Sequence, residues 1–177
     1  MDLVEGCKKQ DIRAQKQFYN TYYKMVYNSC YRILYDPMAA EDCMQETFLK
    51  AFAKIDTIGE APLEAWLRRI AINTALDKLK RNKVEWIEVD ETYCFYVDDP
   101  DNEREENIEW QVDQVKKTIG KLPENYRLVL TLYLFEGYDH EEISTILGLK
   151  ETTIRSQYAR AKQKLVEIIK SEKILCV

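Results

Sequence analysis

Residues 64–83, which read EAWLRRIAINTALDKLKRNK, set an aromatic ring, an amide and several cations along one side of a predicted helix. At 100° per residue, that arc contains Trp66, Arg69, Asn73, Asp77 and Lys80, with Arg81 and Lys83 at its basic end. Aromatic rings stack on unpaired bases, amides and carboxylates hydrogen-bond to base edges, and cations neutralise phosphates. The pattern therefore predicts a surface that captures bases of opened DNA rather than closed duplex.

The same helix also has a predicted core side and leaves two alternatives open. Trp66 could belong to the core rather than to the nucleic-acid surface. Asp77 could serve only as an ion-pair partner of Arg81, four residues further along. The side predicted to be buried contains Leu63, Leu67, Ile70 and Thr74.

The segment DHEEISTILGLKETTIRSQYARAKQKL, residues 139–165, has the pattern of a helix-turn-helix. Asp139 and Glu142 form a capping-box pair, and Gly148 supplies a tight turn before a longer helix. The exposed start of that helix carries short hydroxyls, which permit close approach to the major groove, and an arginine, which reaches guanine or phosphate. These residues are Thr152, Thr153, Ser156 and Arg160, and the side predicted to be buried contains Ile154, Tyr158, Ala161, Leu165 and Ile168. The alternative is a solvated face in an unrelated helical bundle.

A third helix, in AAEDCMQETFLKAF at residues 39–52, divides into an apolar and an acidic face. The acidic face includes one leucine and should repel DNA, so it suits a protein partner. A plain solvated face is the alternative. The apolar face contains Met44, Phe48, Ala51 and Ile55, and the acidic face contains Asp42, Gln45, Glu46 and Leu49.

Helical periodicity along nearly the whole chain predicts an all-α protein made of two small helical domains. The predicted N-terminal domain spans 1–84, with three or four helices, and the C-terminal helix-turn-helix domain spans 108–177, with four. Residues 1–84 carry net charge +3 and residues 111–177 carry +2, whereas residues 85–110 carry −10, so an acidic flexible linker is predicted over 85–107. The predicted helices are 8–35, 37–55, 62–83, 108–119, 123–135, 139–147 and 151–170.

Composition excludes several other classes of protein. Five cysteines form no CxxC pair and accompany a single histidine, so neither a metal site nor a cofactor is expected, and the cysteines are predicted to be reduced thiols. There is no Gly-rich phosphate loop and no nucleophile paired with a histidine, so no catalytic activity is expected. The N-terminus lacks the features of a signal peptide, and no apolar run is long enough to span a bilayer, so a cytoplasmic protein is expected.

Three segments in the same order resemble the bacterial RNA polymerase sigma factors, specifically the extracytoplasmic-function group of the sigma-70 family. AEDCMQETFLKAF resembles the helix of that family that binds core polymerase, and WLRRIAINTALDKLKR resembles its element that binds the minus-ten promoter region. Residues 122–165 are similar to its domain that binds the minus-thirty-five element. The likeness covers about residues 8–170.

The resemblance implies an initiation factor without catalytic activity, a core RNA polymerase partner, promoter DNA in double- and single-stranded form, and an anti-sigma factor. It implies no small-molecule substrate and no direct insertion into a membrane. By this likeness, the acidic face of the helix that contains residues 39–52 binds the coiled coil of the largest polymerase subunit. The minus-ten residues are Trp66, Arg69, Asn73, Asp77, Lys80 and Arg81, and the minus-thirty-five residues are Thr152, Thr153, Arg155, Ser156 and Arg160.

The sequence departs from the family pattern at three positions that bear on promoter choice. Lys150 replaces a capping serine, Gln157 replaces a commonly basic residue, and Ile58 replaces an aromatic residue before the minus-ten helix. The acidic linker could either occupy a nucleic-acid channel of the polymerase or act as a spacer. A stand-alone regulator that binds operator DNA is the other functional hypothesis, but it leaves the arc from Trp66 to Lys83 without a role.

Overall fold

A computed structural model of the chain describes residues 3–59, 61–81, 115 and 117–175, with side chains through residue 171. Contacts divide the chain into two compact units, Met1–Glu85 and Trp86–Val177. Every regular element among the described residues is helical, as predicted for an all-α protein. The predicted linker over 85–107 lies outside the described residues, as does most of the predicted helix 108–119.

The first unit is built on three helices, each of which packs against the other two. Aromatic rings fill part of their shared core: the ring centroid of Phe18 lies 6.1 Å from that of Phe48 and 5.6 Å from that of Phe52. Cys7, Cys30 and Cys43 are free thiols buried in this unit. Its elements are α1 (Leu3–Lys8), α2 (Ile12–Leu34), α3 (Pro37–Ala53), a 3-10 turn (Ile55–Thr57) and α4 (Leu63–Arg81).

The prediction of a single helix over 8–35 is wrong at its start, because the helix is interrupted between α1 and α2. Gln10 adopts a left-handed conformation with φ of 57°, and Asp11 caps α2 by accepting a hydrogen bond from the Arg13 amide at 2.8 Å. The break lets α1 fold back onto α2. Gly6 is needed at that crossing, since a Cβ on Gly6 would lie 2.6 Å from the Cβ of Ala14.

The start of α3 follows the prediction from Asp36 and Pro37. The Asp36 carboxylate accepts a hydrogen bond from the Ala39 amide at 2.6 Å, and Pro37 occupies the first turn, where it gives up no useful donor. The end of α3 differs from the predicted residue 55, because Ile55–Thr57 tightens into the 3-10 turn. Ile55 is nevertheless buried, as its position on the apolar face predicts.

The second unit contains the predicted helix-turn-helix. Val115 and residues 117–119 are helical, and they are followed by α5 (Glu124–Leu134), α6 (His140–Leu147) and α7 (Glu151–Leu175). Gly148 has φ of 70° at the turn between α6 and α7, which is the left-handed conformation expected there. The core includes Ile119, Leu122, Leu130, Ala161 and Leu165. In the part of the chain that the structure describes, no helix is long and apolar enough to cross a membrane.

The capping box of α6 yields a prediction of stability. The Asp139 carboxylate accepts from the Glu142 amide at 2.8 Å, and the Glu142 carboxylate accepts from the Asp139 amide at 2.9 Å. Asp139→Ala should lower the free energy of unfolding of the second unit by about 1 kcal/mol, measured by urea denaturation. Asp139→Asn keeps an acceptor at the cap and should lose much less, and an equal loss in both variants would contradict a capping role.

Candidate nucleic-acid interface

The buried side of α4 is broader than the predicted stripe. This helix packs against both α2 and α3, so two adjacent arcs are covered rather than one. Leu67 and Thr74 are buried as predicted, whereas Leu63 and Ile70, also predicted to be buried, are only partly buried. The buried residues of α4 are Leu67, Ala71, Ile72, Thr74, Ala75, Leu76 and Leu79.

The opposite arc of α4 presents polar side chains to solvent. Trp66 is partly buried, so its side chain is partly covered by the protein and remains partly accessible to solvent. The ion pair considered between Asp77 and Arg81 is not formed, although the structure describes both side chains. The exposed members of the arc are Arg69, Asn73, Asp77, Lys80 and Arg81.

A cleft between α3 and α4 lies beside this arc. Its volume is about 470 Å³, and its lining combines two ammonium groups, an amide, a carboxylate, a hydroxyl and one aliphatic side chain. Ammonium groups bind phosphate, amide and carboxylate groups hydrogen-bond to base edges, and an aliphatic wall packs against a base. The cleft can therefore hold a nucleotide that has left a base stack. Its lining residues are Lys50, Lys54, Ile70, Asn73, Thr74 and Asp77.

Lys50 and Lys54 were not predicted to contribute to this cleft. The predicted faces of α3 were a core face and an opposite face, and neither is the side that faces α4. The two lysines are four residues apart and so lie on one side of the helix. That spacing was the available signal, but only the packing of α3 against α4 shows which element they face.

Glu46 does not lie on the freely exposed face of α3 where the sequence placed it. Its carboxylate is 2.8 Å from Lys50 Nζ through Oε1 and 3.6 Å from Lys78 Nζ through Oε2, so it bridges α3 and α4. Lys50 Nζ also donates to Thr74 Oγ1 at 3.2 Å. The hydrogen bond from Lys50 and the positive charges of Lys50, Lys78 and Arg81 lower the pKa of the Glu46 carboxyl, against the opposing effect of partial burial.

The lowered pKa predicts a pH-dependent contribution to stability. A carboxyl whose pKa is lower when folded stabilises the protein above the unfolded-state value of about 4.3, and the stabilisation is lost as pH falls through the folded value. Glu46→Gln should therefore reduce the free energy of unfolding at pH 7 by at most about 1 kcal/mol, since the ion pairs are partly exposed. The difference in stability between the two proteins should shrink progressively as pH falls below about 4.3, and a difference that does not change with pH in acid would contradict this account.

The outward face of α3 keeps the remaining predicted residues exposed. Asp42 and Gln45 are exposed, and Leu49 is 71% exposed. Met38, which the sequence analysis did not include, is 80% exposed and lies one turn before Asp42. The spacing 38, 42, 45 and 49 keeps these four side chains on one stripe. A stripe that combines one carboxylate and one amide with two exposed apolar side chains suits a protein partner.

The first turns of α7 carry the residues predicted to contact duplex DNA. Thr152 and Arg155 are exposed, and Thr153, Ser156 and Arg160 are partly buried. The guanidinium of Arg155 pairs with the Glu151 carboxylate at 2.9 Å through Nε and 2.6 Å through Nη2, so this exposed carboxylate competes with phosphate for part of the guanidinium.

Gln157, which replaces a commonly basic residue of the family pattern, faces the core. It is 1% exposed, and its Oε1 atom has no hydrogen-bond partner among the described residues. Ile154, Gln157, Ala161 and Leu165 follow a spacing of three, four and four residues, so one stripe buries all four. A contact between Gln157 and DNA is therefore excluded in this arrangement.

An aromatic cluster fixes α6 against α5 and α7. The ring of His140 lies 4.9 Å from that of Tyr133 and 5.1 Å from that of Tyr158, and the two tyrosine rings are 4.6 Å apart. Such pairs contribute about 0.5 to 1.5 kcal/mol beyond their buried area. The cluster therefore sets the angle at which α7 is presented.

Comparison with known proteins finds one family match within each of the two units. Residues 18–85 match the family described as Sigma-70 region 2, and residues 113–165 match the one described as Sigma-70, region 4. RNA polymerase sigma-H factor of Pseudomonas aeruginosa is 30% identical over 173 residues, which cover 92% of this chain and 90% of that protein. The ECF RNA polymerase sigma-E factor of Salmonella typhimurium is 30% identical over 176 residues, with coverage of 92% and 90%.

Solved structures share the fold. The sigma factor RpoE of Bartonella quintana, in complex with the anti-sigma factor NepR, aligns with a TM-score of 0.56 and 24% identity over 88% of this chain and 96% of that one. CnrH, in complex with the cytosolic domain of CnrY, aligns with a TM-score of 0.54 and 22% identity over 96% of each chain. The two matched regions and the near full-length relatives establish that this chain belongs to the extracytoplasmic-function group of the sigma-70 family, the non-catalytic factors that direct RNA polymerase to promoters.

Proposed function

We propose that this sigma factor divides promoter opening among three surfaces. The outward stripe of α3 binds core RNA polymerase, the arc and cleft of α4 hold the melted minus-ten strand, and the first turns of α7 bind the minus-thirty-five duplex. Duplex binding selects the promoter, and capture of unpaired bases makes strand opening favourable.

The cleft between α3 and α4 supports the minus-ten role more than any other single observation. Closed duplex keeps its bases stacked and would leave a cleft of about 470 Å³ unused, whereas an unstacked base can enter it. Asn73 and Asp77 then lie at the base edge, and Lys54 lies beside the backbone. Trp66 offers a partly exposed ring at the start of the same arc, on which a neighbouring base can stack.

The first turns of α7 support the minus-thirty-five role. Thr152, Thr153 and Ser156 have short side chains that allow a helix to approach the floor of the major groove. Arg155 and Arg160 lie on the same turns and reach guanine or phosphate. The aromatic cluster around His140 holds this helix in a fixed position against α6.

The α3 stripe supports binding to a protein. Its one carboxylate, that of Asp42, disfavours nucleic acid, and its two exposed apolar side chains, Met38 and Leu49, are the groups whose burial would stabilise a complex. We assign core polymerase to this stripe, and we propose that an anti-sigma factor binds the protein, as NepR binds RpoE of Bartonella quintana. Both partners place its activity in the cytoplasm.

The experiment that tests the proposal is promoter-dependent transcription with purified full-length protein and core polymerase. Start sites on genomic templates should appear only when both are present, and each should share a pair of sequence elements. A protein that bound a specific duplex tightly by itself, and gave no initiation with core polymerase on any template, would be a stand-alone regulator instead.

A further inference from the structure

The carboxylate of Glu46 lies among cations from two helices, as an anion would in a phosphate site. Lys50 Nζ is 2.8 Å from one carboxylate oxygen, and Lys78 Nζ is 3.6 Å from the other. Thr74 on α4 accepts from Lys50 at 3.2 Å, which orients that ammonium group. Arg81, one turn beyond Lys78, is near enough to lower the pKa of the Glu46 carboxyl. The two lysines are therefore arranged around an anion before any ligand arrives.

This cation pair adjoins the proposed minus-ten surface. Lys50 lines the cleft together with Asn73 and Asp77, and Lys78 follows Asp77 directly on α4. A phosphodiester carries one negative charge and presents two acceptor oxygens, as a carboxylate does, and it binds ammonium groups in the same way. A DNA strand whose base entered the cleft would bring one of its backbone phosphates close to Lys50 and Lys78.

We propose that Lys50 and Lys78 form a binding site for a backbone phosphate of single-stranded DNA, and that Glu46 occupies this site in the free protein. The assignment of the strand to the promoter rests on the proposed function. The stripe that we assign to polymerase includes Asp42 and Gln45, which lie one turn before Glu46 and next to it on α3, so docking there can draw the Glu46 carboxylate away from the lysines. The phosphate then takes its place.

The exchange of the Glu46 carboxylate for a DNA phosphate couples the binding of polymerase to the binding of single-stranded DNA. In the free protein the carboxylate neutralises one of the two lysine charges, which weakens attraction for DNA at this edge. When docking of polymerase on the α3 stripe releases Glu46 from the lysines, both lysine charges become available to the strand. Because such coupling is reciprocal, a bound strand should also strengthen the hold of the sigma factor on polymerase.

The test uses the full-length protein without polymerase and a fluorescent oligo(dT) of about twelve nucleotides, a length within the range of single-strand sites. Glu46→Gln removes the competing charge and should raise the affinity, measured by anisotropy at low salt, by about two- to fivefold. The slope of affinity against salt should steepen by nearly one counterion, as for one added phosphate contact. If Glu46→Gln does not fold, Glu46→Ala, which also removes the carboxylate, carries the same expectation.

Two further variants decide between this site and a general charge effect. Glu41→Gln removes the same charge from an exposed position of the same helix and should change the affinity much less. Lys78→Gln should abolish the gain from Glu46→Gln in the double variant. Equal gains from Glu41→Gln and Glu46→Gln, or a full gain without Lys78, would overturn the proposal. Both results are independent of transcription, so failure of the proposed function would be seen separately.

Discussion

Replacing Trp66 with alanine should lower the rate of promoter opening by roughly fivefold to more than a hundredfold, because loss of one stacked base costs about 1 to 3 kcal/mol. The ring lies at the start of the exposed arc of α4, one turn before Ile70 at the cleft. Opening is measured with core polymerase and full-length protein, from the permanganate reactivity of unpaired thymines. Binding to core polymerase should be unchanged, since Trp66 is not on the outward stripe of α3.

Trp66 is partly buried, so the control must separate stacking from packing. Trp66→Phe keeps an aromatic face of smaller area and should retain most of the opening activity, whereas Trp66→Leu fills similar core space without a π surface and should not. Thermal unfolding of all three variants gives the folded fraction. If Trp66→Leu opened promoters as well as Trp66→Phe, the role of the ring would be packing alone.

Features determined by a few neighbouring residues were predictable from the sequence. Asp36 with Pro37, and Asp139 with Glu142, identify helix starts because each side chain satisfies free amides within its own first turn. The turn at Gly148 follows from the left-handed conformation that glycine tolerates. The arc from Arg69 to Lys80 is exposed because the helical period alone places those side chains opposite the most deeply buried residues of α4.

Features that depend on which element lies opposite were not predictable. Glu46 was placed on an outward face, but it turns to α4 because Lys50 and Lys78 offer it two cations. Gln157 stands where the family commonly has a basic residue, yet its side chain is buried in a core stripe. The break at Gln10 depends on the packing of α1 against α2 at Gly6. The spacing of apolar and polar residues within one helix does not show which other helix packs against each of its faces.

The docking role of α3 and the DNA roles of α4 predict separable losses of function. Variants on the outward stripe should fail to assemble with polymerase while the cleft stays intact, and Trp66 variants should assemble but open promoters slowly. A single nonspecific surface would lose both activities together. Separation of the two losses therefore tests whether the first unit carries two distinct interfaces.

Combining Asp42→Lys with Leu49→Glu should weaken binding to core polymerase by roughly a hundredfold or more, because one change reverses a charge and the other puts a charge where an apolar side chain is buried on docking. Binding is measured by titrating labelled full-length protein with core enzyme. Both side chains are exposed, so each change should alter stability by no more than about 0.5 kcal/mol. The loss of binding would therefore not reflect unfolding.

A matched pair of substitutions makes this result specific to the stripe. Asp56→Lys with Ile12→Glu introduces the same two charge changes at exposed positions of the same unit, and Ile12 is 79% exposed, close to the 71% of Leu49. This control should bind polymerase as the wild type does. If both pairs of substitutions weakened binding equally, the cause would be the overall electrostatic field of the first unit. The α3 stripe would then not be the docking surface.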